Sequence, residues 1–136
     1  MHGTILYSIL SGNSAYADAL GEDPQTGGIK LFPKIARQGT TLPYATYTLI
    51  STVPEQDKDG LGLITYRVQL DHFSNTHSQL ETLHSLAVSA LNRFRGVVAG
   101  NKVNSVRWEP GGGDGFDDGS ESRRSMSEFS IKIQPG

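Results

Sequence analysis

Apolar and polar residues alternate most regularly between Pro43 and Phe94. In Leu63 to Phe73 (LITYRVQLDHF), Ile64, Tyr66, Val68 and Leu70 fall on one side of an extended chain, and Thr65, Arg67, Gln69 and Asp71 on the other. Successive side chains of a strand point to opposite faces, so the pattern predicts a half-buried strand. Pro43 to Thr52 (PYATYTLIST) is dense in Tyr, Thr, Leu and Ile, residues that suit a pleated surface, and predicts a second strand. Beyond them Leu80, Leu83, Ala87, Leu91 and Phe94 recur at three- and four-residue spacing. That stripe predicts an amphipathic helix covering one face of the sheet. Thr76 and Gln79 have the spacing of a capping box, which would set the start of that helix.

The remaining chain adds to this unit. Ile5, Leu6, Ile9, Leu10, Ala17 and Leu20 suit a helix over Thr4 to Leu20, but Gly12 and Asn13 interrupt it, giving one broken helix or two short ones. Gly21 to Gly28 (GEDPQTGG) reads as a loop. Ile29 to Ile35 (IKLFPKI) reads as a short strand, which Pro33 confines to a sheet edge because it lacks the N–H a ladder needs. Val97 to Glu109 predicts a strand, or a bent hairpin around Gly100-Asn101. Arg123 to Gln134 predicts the last strand, with Phe129, Ile131 and Ile133 alternating against polar neighbours. Two stretches are expected to be mobile: 53–62 (VPEQDKDGLG), which is too long for a tight hairpin and reads as an extended arm or flexible tip, and 110–122 (PGGGDGFDDGSES), which cannot bury enough apolar surface to offset its ordering entropy. The expectation is a single α+β domain over 1–136. Its sheet is antiparallel, mixed at most, with about four to five strands and two helices on one face, in the order α-β-β-β-α-β-β.

Composition narrows the function classes. A chain of 136 residues is one domain by size and can bury a real core. Twelve basic against fourteen acidic residues leave a net charge of −2, which speaks against a surface built mainly to grip nucleic acid or anionic lipid. There is no cysteine, so disulfides, thiolate metal sites and cysteine nucleophiles drop out together. The N-terminal MHGTILYSIL lacks the basic start and apolar core of a signal peptide, and no apolar run reaches the roughly 18 residues of a membrane span.

Catalytic constellations are thin. No HExxH pair, G-x-S-x-G elbow, Walker lysine or G-x-G-x-x-G turn occurs, and Gly111-Gly112-Gly113 lacks the Lys-Ser/Thr of a phosphate loop. His77 and His84 lie seven residues apart on the predicted helix with Glu81 as the sole neighbouring carboxylate, a poor metal set that reads as a solvated polar flank. Asp114, Asp117, Asp118 and Glu121 fail the EF-hand spacing, so the acidic loop reads as solvated. Lys102, Arg107, Arg123 and Arg124 are near one another in sequence and could form a small basic strip, or be plain surface charge. No cofactor is expected.

The order and spacing of these motifs resemble the small tail-completion or tail-terminator proteins of long-tailed bacteriophages. The resemblance rests on Thr41-Leu-Pro-Tyr-Ala-Thr-Tyr-Thr-Leu-Ile-Ser, on the connector with Pro54 and Asp59-Gly60, on Tyr66-Arg-Val-Gln-Leu-Asp, and on the Leu-rich helix that follows. It spans roughly Ile5 to Ile133. The Gly21 to Gly28 insert and the long glycine-acidic stretch depart from the pattern. What the resemblance implies is a non-enzymatic virion protein at the head-proximal end of the tail, assembled in the host cytoplasm. Family members form hexameric rings that cap the tail tube and join it to the head. Implied partners are further copies of the chain, the tail tube protein and a head-completion or connector protein. DNA would pass through the ring without specific binding. Expected contact residues are Asp57, Asp59, Gly60 and Leu61 in the first connector, Arg67 on the outward strand row, and Phe116, Arg123 and Arg124 around the second. The alternative is a small α+β ligand-binding or regulatory domain, which would need a concave apolar pocket.

Overall fold

The computed structural model describes residues 2–34, 40–55, 62–109, 114–117 and 122–134. The chain starts with two helices, α1 (His2–Ser11) and α2 (Ser14–Leu20). The break falls where Gly12 and Asn13 place it: Asn13 is extended, and its side-chain oxygen accepts from the Tyr16 N–H at 3.0 Å, capping α2. There follow β1 (Leu31–Pro33), β2 (Tyr44–Glu55), β3 (Leu63–Ser74), α3 (His77–Leu91), β4 (Gly96–Val98), β5 (Asn101–Glu109), β6 (Asp114–Asp117) and β7 (Ser122–Gln134).

The sheet runs β1-β2-β3-β7-β5-β4. β6 pairs with β7 at Ser122 to Ser125, and β5 pairs with it from Glu128 to Gln134, so β6 and β5 share one edge of β7 end to end. β1 runs parallel to β2 and the other pairs are antiparallel. The α+β class and the single mixed sheet agree with expectation, but strand count and order do not. There are three helices rather than two, seven strands rather than four or five, and the order is α-α-β-β-β-α-β-β-β-β. Two strands account for the excess. The Val97 to Glu109 region takes the hairpin form of the two expected, with Ala99 and Gly100 at positive φ (51° and 81°). The glycine-acidic stretch contributes β6, because a backbone ladder needs no apolar side chains and β7 extends past the end of β5.

The last strand in sequence is central in space. β7 lies between β3 and β5, and Phe129, Ile131 and Ile133 are fully buried there. On α3 the stripe Leu80, Leu83, Ala87 and Leu91 is buried against the sheet. Phe94, expected to complete it, lies beyond the helix end, where Arg93 takes a left-handed turn (φ 68°). The capping box forms by half. Thr76 Oγ1 accepts from the Gln79 N–H at 3.3 Å, but the Gln79 side chain bonds the Ser74 hydroxyl instead of reaching Thr76. Ser74 Oγ in turn accepts from the Thr76 N–H at 3.2 Å, so the orphan donor is still satisfied.

α1 touches β4 at one end of the strand order, and its Gly3 lies against the Tyr47 ring of β2 near the other. The sheet therefore curls around α1. A Cβ on Gly3 would come 2.5 Å from the Tyr47 hydroxyl oxygen, so a larger residue there would have to displace the end of the Tyr47 side chain.

Candidate assembly surfaces

β2 and β3 carry two kinds of surface along their length. At one end Ala45, Leu70 and His72 are buried beneath the helices. A 2.7 Å hydrogen bond joins Tyr16 Oη of α2 to His72 Nε2, and the ring Nδ1 has no partner among the described residues. Burial, reinforced by nearby His84, pushes the His72 pKa down to about 3, so this imidazole stays neutral. Burial likewise pushes the Tyr16 phenol up.

At the other end the same strands outrun their cover. β1 pairs with β2 only from Ala45 to Tyr47. From Leu49 to Glu55, among the described residues, β2 is paired on one side alone, by β3. A bulge at Ile50 interrupts the register there, and Leu49, Ile50 and Val53 are 37 %, 45 % and 51 % exposed. A long edge strand bearing apolar side chains is a ready template for contact with another chain.

The outward polar row is less open than its pattern suggests. Arg67 donates to Glu128 Oε2 of β7 through Nη2 at 2.6 Å and Nε at 2.9 Å, so its guanidinium is engaged by its own sheet. Asp71 is buried on this face; Gln69 Nε2 donates to both its carboxylate oxygens at 3.1 Å. Burial raises its pKa, while the Gln69 bond and the Arg124 charge pull the other way.

Arg124 sits on β7 opposite Phe73 on one side and Gly115 on the other, and Arg123 is paired with Phe116 of β6. The structure thus brings Phe116, Arg123 and Arg124 together on one hairpin and separates them from Arg67, whose β7 partner is Ser130. Asp57, Asp59, Gly60 and Leu61 lie outside the described residues, as does most of the second loop. Of the first connector, Val53 to Glu55 belong to β2.

The basic strip is not formed. Lys102 and Arg107 pair with Gln134 and Ser130, whereas Arg123 and Arg124 occupy the opposite end of β7. Arg107 instead joins Arg93, Arg95 and Trp108 around an open groove of about 460 Å³, which sequence reading missed. The Arg93 N–H donates to the Val106 carbonyl at 2.8 Å, and Asn92 Oδ1 accepts from the Trp108 N–H at 3.1 Å, fastening the turn after α3 to the β5 edge. His84 packs edge-on against the Trp108 ring at 5.6 Å. Three arginines within fifteen residues of one tryptophan were visible in sequence, but only the turn at Arg93 brings them to one place. A second open groove of about 400 Å³ lies by Asp18, Glu22 and Ile29.

His77 Nε2 lies 2.9 Å from Glu81 Oε1 on the exposed flank of α3, while His84 is turned toward Trp108. Among the described residues no cluster of three metal-ligating side chains occurs, and no helix is long and apolar enough to cross a membrane.

An α+β domain whose distinctive features are an exposed strand edge and open charged grooves is, in class, a protein of contacts. The profile of the tail completion protein gp17 family matches residues 6–134. The chain therefore belongs to that family and is a structural protein of the bacteriophage-type virion tail. Its fold is shared by a solved chain described as "Virion of native gene transfer agent (GTA) particle", with a TM-score of 0.74 at 11 % identity over 95 % of this chain and 91 % of that one. No curated protein matches the chain.

Proposed function

We propose that this protein assembles as a homo-oligomeric, hexameric ring that caps the tail tube and forms part of the joint between tail and head, without catalysing a reaction. Family membership over residues 6–134 carries the reading. The gene transfer agent particle, a virion assembly with the same fold in one of its chains, supports the setting. The physical support is the exposed apolar run Leu49, Ile50 and Val53 on an overhanging edge, which costs solubility unless a neighbour covers it. The tail tube protein and a head-completion or connector protein are the further partners. A net charge of −2 suits a ring that lets the DNA duplex pass without holding its phosphates.

Light scattering coupled to size exclusion, with negative-stain microscopy, tests this. Rings, and their binding to purified tail tubes, are the expected result. A monomer at every concentration that also ignores tail tubes overturns it.

A further inference from the structure

The register of the sheet limits what the arginine groove can reach. Trp108 and Arg107 pair with Phe129 and Ser130 of β7, while Asp114, the near end of β6, pairs with Ser125 of the same strand. Those β7 positions are four and five residues apart, about 13–17 Å at the rise of a strand. β6 reads Asp-Gly-Phe-Asp, and the stretch between Glu109 and Arg123 holds four acidic residues and no basic one, an excess over the two arginines, Arg123 and Arg124, at the β7 positions paired with β6. The groove has the opposite character. Arg93, Arg95 and Arg107 are exposed around an indole; Glu109 Oε1 lies 3.7 Å from Arg107 Nε and accepts from the Ser130 hydroxyl at 3.1 Å. Guanidinium forks match carboxylates, and Arg and Trp are the side chains that dominate interface energetics. Yet the ladder holds β6 away from the groove of its own chain.

We propose that the groove formed by Arg93, Arg95, Arg107 and Trp108 receives the acidic β6 strand of a second copy, in a head-to-tail contact. The inference rests on the self-assembly reading above and names its surfaces. Because the two surfaces differ, the contact is heterologous, and its repetition closes a ring if the rotation permits.

The chain has no cysteine, so Ser105→Cys in the groove and Gly115→Cys in β6 introduce the only thiols. Their β7 partners, Lys132 and Arg124, are eight residues apart, about 27 Å, well beyond the roughly 7 Å a disulfide spans. On oxidation the double variant should give a ladder of covalent oligomers on a non-reducing gel. A mixture of the two single variants should stop at dimers, and neither alone should cross-link. In parallel, Arg93→Glu/Arg95→Glu and Asp114→Lys/Asp117→Lys should each shift the oligomer to monomer, and mixing them should restore a heterodimer through the one groove and the one strand left intact.

Dimers from a single-cysteine variant alone would mean a two-fold contact and overturn the proposal. So would charge-reversed variants that keep their rings and lose only binding to duplex DNA, which would make the groove a phosphate site. Wild-type rings with no cross-link and no response to charge reversal overturn this contact and leave the ring standing. A monomeric wild type overturns the ring, and the contact with it.

Discussion

The two ends of the β2–β3 pair share one continuous ladder but differ in how far their side chains are buried. At Ala45 to Tyr47, opposite Leu70 to His72, the strands lie under the helices and bury nearly everything on their inner face. At Ser51 to Glu55, opposite Leu63 to Arg67, the ladder continues while the burial lessens; Leu49 still faces the fully buried Val68. Apolar residues at the first end are buried in the core, whereas Ile50 and Val53 at the second stay about half exposed. Burial of Leu83 thus bears on folding, and exposure of Ile50 on the proposed assembly.

The largest expected effect lies on the covered side. Leu83→Ala and Leu91→Ala each remove a fully buried side chain and should lower stability by about 2–5 kcal/mol in denaturant titration. A loss under about 1 kcal/mol at both sites would break the contrast between the two ends.

Next comes acid. His72 has a folded-state pKa of about 3 against an ordinary 6.5. As pH falls below 6.5 the unfolded chain takes up a proton that the folded chain refuses. The stability is fully present above about pH 6.5 and should fall by up to about 1.4 kcal/mol per pH unit toward pH 3. Melting temperatures of wild type and His72→Gln between pH 7 and pH 4 check this. The variant should show the shallower acid limb, and parallel limbs would remove His72 as the cause.

Arg67→Ala should cost less, about 0–1 kcal/mol, because the Arg67–Glu128 pair is 48 % and 32 % exposed. A double-mutant cycle with Glu128→Ala measures the coupling, and a value well above 1 kcal/mol would show the outward face to be more than a solvated row. Smallest of all in stability, within about 0.5 kcal/mol, should be Leu49→Ser, Ile50→Ser and Val53→Ser. Combined, they should nonetheless shift the oligomer toward monomer in light scattering. Loss of stability with unchanged oligomeric state would invert the comparison.

Much of the fold was legible along the chain. The period-2 run at Leu63 to Phe73, the stripe from Leu80 to Leu91 and the break at Gly12-Asn13 appear in the structure as β3, α3 and the α1–α2 junction. Each depends on neighbours a few residues away. Misreadings arose where the partner was distant. β6 was read as loop because only the open edge of β7 makes it a strand, and Arg107 was grouped with Arg123 and Arg124 because their separation is set by pairing register. Arg67, read as outward, is exposed, but its pairing with Glu128, sixty-one residues away in sequence, left no local trace.

What the sequence by itself determined is the set of elements and which face of each is apolar, since periodicity and caps are local properties of the chain. The tertiary structure alone decided that the last strand would be central, that the second half of β2 would overhang, and that Arg93, Arg95, Arg107 and Trp108 would meet while β6 pairs about 13 Å or more further along β7. Those outcomes follow from strand order and register, which are set by the packing of residues far apart in the chain and leave no periodic trace within it.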